Sequence, residues 1–575
     1  MRGAWLLAAL SAIACSSSEG TGTRPNVLLI SIDSTCKDLV GAYGRDPQHA
    51  PGISPSPNLD RLAEEGVLFE DVSSTTSWTL PSHLSMLTGL PALVHAVDID
   101  MQTPDQSIET LAEALSETGY RTGGFFSGPY LDPRFGFAAG FERYEACFGQ
   151  ELAAATSASD AAQKQMAAAQ ARNDSVAVDA ARRALEEASQ KIEVLSHRDV
   201  SSESVTDQGL EFLAADDGRP WFLFLHYFDA HYDYTPPAPF DTRFDPGYEG
   251  SIDGHDFISR PDISVPLEGD PFRVEQQIST RDLEHIYALY EGELAWTDQQ
   301  IGRVLARIDE LGLKEDTLVI VTSDHGDEFF EHDGLGHRKT LYEEVLQVPL
   351  LMRYPGTFEA GRRVETPVSI LSIVPTVLDV LDIPSASPFT TRSLAGMAKG
   401  RDAKEDEGFL ARLVYTLPAT QGYSVGGQPR QVSVLRVFLT ETYRKGPIKV
   451  YRRRYWTEFR REQAMPPQVL ESLETRQRNE KATELVSWVD LAKHPGESER
   501  YFSKDFSNPE ARAALQEFHD LYPKLMAQRR AAGETNVEDM EASLTPLGYT
   551  SGPAPDRATE AFEVPPPGLE LLRTK

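Results

Sequence analysis

The sequence predicts an α/β fold built on a parallel, doubly wound sheet. Three near-continuous apolar runs, at residues 26–32, 221–225 and 318–321, are typical of strands that are buried on both faces of a parallel sheet. Helical patterns lie between these runs, and such alternation favours strand–helix–strand units over an antiparallel arrangement. We therefore expect one large sheet that is covered by helices on both faces.

The helical patterns are recognised by their amphipathic spacing, and each one stops at a glycine. Residues 58–65 form a short predicted helix, and residues 108–119 repeat this form ahead of a predicted strand at 122–127. A longer helix is expected over residues 287–311. These elements supply the connections that a parallel sheet requires.

Composition disfavours one class of function, and the first residues predict a location. The 575 residues include 88 acidic and 55 basic side chains, a formal charge of −33, whereas nucleic-acid binding needs clustered Lys and Arg. Residues 1–15 form a short signal peptide whose end resembles a bacterial lipobox with Cys15 as the lipidated residue, and 16–24 form a tether. A plain secretory signal is the alternative. We expect a cell-envelope protein that is lipid-anchored to a bacterial membrane and faces the periplasm or the exterior.

The sequence leaves open whether Cys36 and Cys147 pair.

The rest of the chain divides by composition. Residues 25–407 carry the α/β pattern and 408–533 form a smaller C-terminal subdomain. Residues 151–196, rich in Ala, Gln, Glu and Arg, predict one or two exposed helices inserted into the first unit. The basic and aromatic run 449–455 is typical of an outward strand face, with an anion-binding patch as the alternative. Residues 534–575 lack apolar periodicity and are expected to form a loosely ordered tail.

Polar side chains follow all three apolar runs. Asp33 ends the first run, Asp229 and His231 follow the second, and Asp324 and His325 follow the third. Ligands of open α/β sheets bind beyond the carboxyl ends of the strands, so these side chains are expected to share one site. Carboxylates with one imidazole suit Ca²⁺, Mg²⁺, Mn²⁺ or Zn²⁺.

Thr79 is the candidate nucleophile. Pro81 is typical of the first turn of a helix and Gly89 of a helix end, so Thr79 is predicted to lie just before a helix N-terminus. Backbone N–H groups and the positive end of the helix dipole favour an anionic ester there. A simple N-cap role for Thr79 is the alternative.

Several segments within residues 25–400 together resemble the sulfatase branch of the alkaline phosphatase superfamily. The matching segments are 25–33, 57–66, 80–89, 323–326, 342–344, 348–351 and 373–378. The resemblance implies an alkaline-phosphatase-like fold: a large mixed sheet sandwiched by helices, with a small C-terminal α+β subdomain that contains a four-stranded antiparallel sheet. It also implies a metal-dependent hydrolase that acts on an anionic sulfate or phosphate ester.

The resemblance further implies a role for each candidate side chain. It gives Asp33, Thr79, Asp324 and His325 as metal ligands; Thr79, His231, His337 and Arg338 as the reacting or proton-transferring groups; and His83, Asp229 and Lys339 as substrate-binding groups. One divalent ion is expected, and a second ion on Asp229, His231 and His337 is the alternative.

The chain departs from the sulfatase pattern at the nucleophile. Sulfatases carry a Cys or Ser that is converted to formylglycine where this chain has Thr79, and Thr cannot form that aldehyde because its β-carbon already carries a methyl group. Ser34 replaces a second metal-binding Asp, and 128–131 lack a Lys and a His of the family. We expect hydrolysis through Thr79. The alternatives are a phospho-group transferase and a catalytically degenerate member that only binds.

Overall fold

The structure is a computed structural model that describes residues 24–534 apart from 101, 173–174, 197–199, 269, 386, 402–406, 426–427 and 460–482. The expected signal peptide and nearly all of the tether, at residues 1–23, lie outside the described residues, as does the expected tail at 535–575. Within the described part, no helix combines the length and the apolar character that crossing a bilayer requires.

The central sheet has eight strands. They are β1 Asn26–Ile32, β2 Val67–Phe69, β3 Arg121–Phe126, β4 Arg143–Ala146, β5 Trp221–Tyr227, β6 Thr317–Ser323, β7 Leu350–Arg353 and β8 Arg362–Val364, in the spatial order β8-β2-β7-β6-β1-β5-β3-β4. The five strands from β6 to β4 are mutually parallel, as the alternating pattern predicts. β7 is antiparallel to both β6 and β2, so the whole sheet is mixed.

The strand β1 shows why its apolar run is continuous. Val27 and Leu29 belong to the hydrophobic core on one face of the sheet, whereas Leu28 and Ile30 belong to the core on the other face. Neighbouring strands β5 and β6 flank β1 in parallel, and Ile32 lies opposite a residue of each. The residues that follow these three strands therefore emerge together at one edge of the sheet.

Nine helices of seven or more residues are described. They are α1 Pro57–Glu65, α2 Thr79–Thr88, α3 Leu111–Glu117, α4 Gln150–Ala171, α5 Ser175–Ser196, α6 Ser202–Ala214, α7 Thr280–Glu310, α8 Ile373–Val380 and α9 Pro509–Gln528. Four-residue helices lie at Ala92–His95, Phe240–Arg243, Glu343–Leu346 and Ala395–Ala398. The helix α3 begins later than predicted because Thr110 and Glu113 form a capping box, and α7 begins earlier because Ser279 caps it.

The expected insertion is a pair of helices, α4 and α5, which contact each other. Among the side chains of this pair that the structure describes, five alanines at seven-residue spacing are buried, together with Leu152 and Ser159: Ala155, Ala162 and Ala169 in α4, and Ala181 and Ala188 in α5. A seam of small side chains lets two helices approach closely without large apolar residues. This explains why the composition suggests exposed helices although one face of each helix is buried.

The C-terminal subdomain contains a four-stranded antiparallel sheet, as expected. Its strands are β9 Gly408–Val425, β10 Gln428–Lys445, β11 Ile448–Phe459 and β12 Thr483–Asp490, and α9 contacts β10 and β11. Short two-stranded ribbons pair Val72–Ser73 with Val368–Ser369, Gln102–Thr103 with Gly533–Glu534, Ser264–Pro266 with Val274–Gln276, and Glu328–Phe329 with Leu335–Gly336.

The basic run 449–455 is mostly buried, contrary to the outward strand face that the sequence favours; only Tyr455 is exposed, and Arg453 is partly exposed. Lys449 is fully buried, and Arg452 and Arg454 are nearly so. Lys449 pairs with the carboxylates of Glu343 and Glu497, while Arg452 pairs with Glu441. The sheet is covered on both faces, so its charged side chains bind buried carboxylates.

The sequence also left the pairing of the cysteines open: Cys36 and Cys147 are both free thiols.

Candidate active site

Thr79 is the first residue of α2. The sequence predicted instead that it would be the residue just before the helix. Trp78 is the extended cap residue, and the helix ends where Gly89 takes a φ of +68° and its N–H donates to the carbonyl of Ser85. The Thr79 hydroxyl Oγ1 lies 3.4 Å from Asp33 Oδ2 and 3.4 Å from His325 Nε2. The helix therefore directs this hydroxyl at the residues that follow β1 and β6.

Asp33, Asp324 and His325 form a group with the geometry of a metal site. Their ligand atoms lie within 4.8 Å of one another. His325 Nε2 is 3.8 Å from Asp33 Oδ1 and 3.3 Å from Asp324 Oδ2. Ser34 has a φ of +51°, which lets its hydroxyl donate to Asp33 and its backbone N–H donate to Asp324. Three of the four predicted ligands thus meet beside the fourth, Thr79.

The electrostatics of this group fit a cation. Burial raises the pKa of Asp33 to about 6 and that of Asp324 to about 7, while burial lowers the pKa of His325. The buried oxygen Asp324 Oδ2 accepts no hydrogen bond from any residue that the structure describes. Two buried carboxylates without an opposite charge are costly, and a divalent ion with oxygen and imidazole ligands removes that cost. The donor set therefore fits a divalent metal ion.

A further histidine, His226, contacts the metal group. His226 Nε2 is 3.1 Å from Asp33 Oδ2, and its Nδ1 is 2.6 Å from the carbonyl oxygen of Ser127. Sequence reasoning missed His226 because a histidine within an apolar strand resembles a core residue. The one available signal was a polar side chain near the carboxyl end of β5.

The predicted substrate-binding role of His83 is wrong. This imidazole is fully buried, with Nε2 2.9 Å from the hydroxyl of Ser31 and Nδ1 2.9 Å from the carbonyl of Thr79. Burial lowers the pKa of His83 to about 3, so the ring is neutral and offers no charge to an anionic ester. His83 instead fixes the first turn of α2 against β1.

A second group of metal-ligand type adjoins the first and shares His325. It consists of His325, Asp327 and His337. The carboxylate of Asp327 lies 2.6 Å from His337 Nδ1 and accepts a hydrogen bond from Tyr234. The ring of His231 lies 5.0 Å from that of His337 and edge-on to it. His231 and His337 therefore form one wall of the site, next to the metal group.

Arg338 brings a positive charge next to Trp78, the residue before Thr79. Its guanidinium lies 4.4 Å from the ring centre of Trp78 and donates to the hydroxyl of Tyr130 at 2.8 Å and to Asp100 at 2.7 Å. Its backbone takes a φ of +68°, and its N–H donates to the carbonyl of Ser77. Stacking and a fixed pair of acceptors orient this charge beside the residue that precedes Thr79.

The sulfatase family model matches residues 25–383, more than half of the chain. The chain belongs to the sulfatase family. It is 28% identical over 402 residues to the multifunctional alkaline phosphatase superfamily protein PehA of Trinickia caryophylli, covering 62% of this chain and 74% of that protein. It is 25% identical over 407 residues to the ulvan-active sulfatase of Formosa agariphila, covering 70% of each.

Solved structures share the fold. The phosphonate monoester hydrolase of Agrobacterium radiobacter is 20% identical, with a TM-score of 0.56 over 88% of this chain and 96% of that chain. The phosphonate monoester hydrolase SpPMH of Silicibacter pomeroyi is 21% identical, with a TM-score of 0.57 over 88% and 96%. As a member of the sulfatase family, the protein is a hydrolase of the sulfuric or phosphoric ester type.

Two residues that the sulfatase resemblance placed near the substrate have other partners. The carboxylate of Asp229 accepts hydrogen bonds from the backbone and hydroxyl of Ser201, from the backbone of Ser202 and from the indole of Trp296. It caps α6, so its predicted role in substrate binding or in a second metal site is wrong. Lys339 is also placed elsewhere: its amine is 3.5 Å from the carbonyl of Leu335, and it lines a cavity beside the C-terminal sheet.

Proposed function

We propose that this protein hydrolyses a sulfate or phosphate ester through Thr79, with a divalent ion held by Asp33, Asp324 and His325. One observation carries the proposal: the hydroxyl of Thr79 lies 3.4 Å from both Asp33 and His325 at the start of a helix. A nucleophilic alcohol requires a group that stabilises its alkoxide, and this position provides one.

The side chains divide the reaction between them. Thr79 Oγ1 loses its proton to solvent and forms a bond to the phosphorus or sulfur atom, while the bond to the leaving oxygen breaks. Water then attacks the same atom, and Thr79 leaves and takes up a proton again. A bound Ca²⁺, Mg²⁺, Mn²⁺ or Zn²⁺ would supply a Lewis acid that lowers the pKa of the hydroxyl and neutralises the ester. His337, oriented by Asp327 at 2.6 Å, donates the proton to the leaving oxygen, with His231 beside it. Arg338 binds the anionic group.

The use of Thr79 removes the need for maturation. A threonine cannot be oxidised to an aldehyde, so no formylglycine is formed and the intermediate is an ordinary ester. The enzyme should therefore be active when it is produced in a host without formylglycine-generating machinery. Transfer to an acceptor alcohol instead of water would be seen as a product that carries the phosphoryl or sulfuryl group.

The proposal is tested by a screen of sulfate esters, phosphate monoesters, phosphodiesters and phosphonates with three variants. Thr79→Ala should lower kcat by several orders of magnitude and leave anion binding within about tenfold, because the other binding groups remain. Thr79→Ser keeps the hydroxyl and should retain part of the activity. Ser85→Ala, on the same helix but with its hydroxyl beside His95, is the control and should match the wild type. A Thr79→Ala protein with wild-type kcat would refute the proposal.

We also propose that Cys15 anchors the protein to a bacterial membrane through a lipid. The lipobox-like residues 12–15 and the tether behind them support this location. Cys15→Ser should move the protein from the membrane fraction to the soluble fraction and abolish the added lipid mass. An unmodified Cys15 in the wild type would contradict this proposal.

A further inference from the structure

The three segments that carry the site meet at one short helix. We name Glu343–Leu346 the anchor helix. The carbonyls at its C-terminal end accept hydrogen bonds from amides of three other segments: Gly326 N donates to Val345 at 3.0 Å, Ser74 N to Leu346 at 2.8 Å, and Lys37 N to Gln347 at 3.1 Å. The last carbonyls of a helix lack partners in the helix itself, and here the carbonyls of Val345, Leu346 and the C-cap residue Gln347 each bind a different segment.

Each of these amides lies close in sequence to a site residue. Lys37 is four residues after Asp33, and Gly326 directly follows His325. Ser74 lies five residues before Thr79, and its hydroxyl donates to the carbonyl of Asp324. The anchor helix therefore connects the segments that carry the nucleophile and its proposed ligands.

The anchor helix is held from the C-terminal subdomain. The Lys449 ammonium donates to Glu343 Oε1 at 2.6 Å and to the carbonyl of Leu341 at 2.8 Å. Glu497 accepts from Lys449 at 3.2 Å and from the Glu343 backbone N–H at 2.7 Å. Tyr451 donates to Glu497 at 2.6 Å and to the Leu341 carbonyl. Lys449 and Glu497 are fully buried, so water does not replace these bonds.

We propose that Lys449 is a positioning residue of the active site. Through Glu343 it fixes the anchor helix, and through that helix it fixes the loops that carry Asp33, Thr79 and the Asp324–His325 pair. Lys449 thus acts on the reaction through the anchor helix. The kinetic part of this inference rests on the proposed function, whereas its structural part does not.

The test compares three variants in the full-length protein. Lys449→Met removes the charge and keeps a side chain of similar length. Tyr451→Phe removes one hydroxyl with little risk to folding. Val450→Ala is the matched control, because Val450 is fully buried in the same strand and belongs to the core that includes α9. Hydrogen exchange is followed by mass spectrometry in peptides that contain Lys37, Ser74 and Gly326.

Lys449→Met should accelerate exchange about tenfold or more in all three peptides and lower kcat about tenfold with KM within threefold, since the loops move but the anion-binding Arg338 remains. Tyr451→Phe should accelerate exchange in the same peptides and lower kcat, each by about threefold. Val450→Ala should lower Tm without changing either quantity. Unchanged exchange in Lys449→Met and Tyr451→Phe, or equal acceleration in Val450→Ala, would overturn the proposal. Hydrogen exchange does not depend on turnover. If Thr79 were not the nucleophile, the exchange result would still show whether Lys449 holds the three loops, so the two failures can be told apart.

Discussion

Metal binding should release protons at acidic pH and almost none at alkaline pH. Burial raises the pKa of Asp33 to about 6 and that of Asp324 to about 7, so both are largely protonated at pH 5.5 without a metal. An ion that binds both carboxylates should therefore displace about one to two protons at that pH. At pH 8 both carboxylates are largely ionised already, so few protons remain to be displaced. Burial lowers the pKa of His325, which therefore adds no proton.

The same shifts determine the sign of the stability change. A carboxyl whose pKa is raised by folding binds its proton more tightly in the folded state, so its contribution to metal-free stability is lost as pH rises from about 4 through about 7. Mn²⁺ removes this penalty because it binds the ionised carboxylates. Its addition should therefore raise Tm more at pH 8 than at pH 5.5.

Isothermal titration of Mn²⁺ in two buffers of different ionisation enthalpy measures the number of protons released. Asp324→Asn should abolish Mn²⁺ binding, and with it the proton release, while leaving the protein folded. Asp298→Asn is the control, because burial also raises the pKa of Asp298 to about 6, yet its carboxylate accepts hydrogen bonds from the backbone N–H groups of Asn58 and Leu59 at the start of α1 and is not one of the proposed ligands. Release of fewer than about 0.5 protons at pH 5.5, or equal release at both pH values, would refute the reasoning.

Three more substitutions test separate parts of the structure. Asp229→Asn should lower the free energy of unfolding in urea by about 1–2 kcal/mol with kcat unchanged, because Asp229 caps α6; a loss of activity without a loss of stability would return it to the site. Arg338→Lys should raise KM about tenfold in steady-state assays, since an ammonium cannot reproduce the stacked, two-acceptor geometry; an unchanged KM would remove Arg338 from the anion site. Arg412→Met should cost about 3–5 kcal/mol in the same urea assay, because it leaves buried Asp98 and Glu441 short of a partner; a cost near zero would show that Arg452 alone satisfies Glu441.

The metal group could be predicted from the sequence because parallel strands determine where their carboxyl ends lie. Once β1 and β6 are recognised as buried strands, Asp33, Asp324 and His325 must emerge at the same edge of the sheet. Thr79 could be placed there because Pro81 and Gly89 mark the limits of α2. These inferences depend on local patterns alone.

The errors concern side chains whose partners are distant in sequence. Asp229 resembles a ligand at a strand end, but its acceptors are satisfied by Ser201 and Ser202, 27 or 28 residues away. Lys449 and Arg452 resemble an exposed strand face because alternation cannot show that the catalytic domain covers one face and α9 the other. Such contacts are fixed by tertiary packing, which single-sequence patterns do not report.

Rapid quenching followed by mass spectrometry of the Thr79 peptide tests the central claim most directly. The enzyme is mixed with excess of the best ester from the substrate screen, stopped in acid during the first turnover, and digested. If Thr79 is the nucleophile, its peptide gains the mass of one phosphoryl or sulfuryl group, and fragmentation places that group on Thr79; the Thr79→Ala protein gains none. Continued turnover by wild-type enzyme with Thr79 unmodified at every time, or with the group on another residue, would contradict the account.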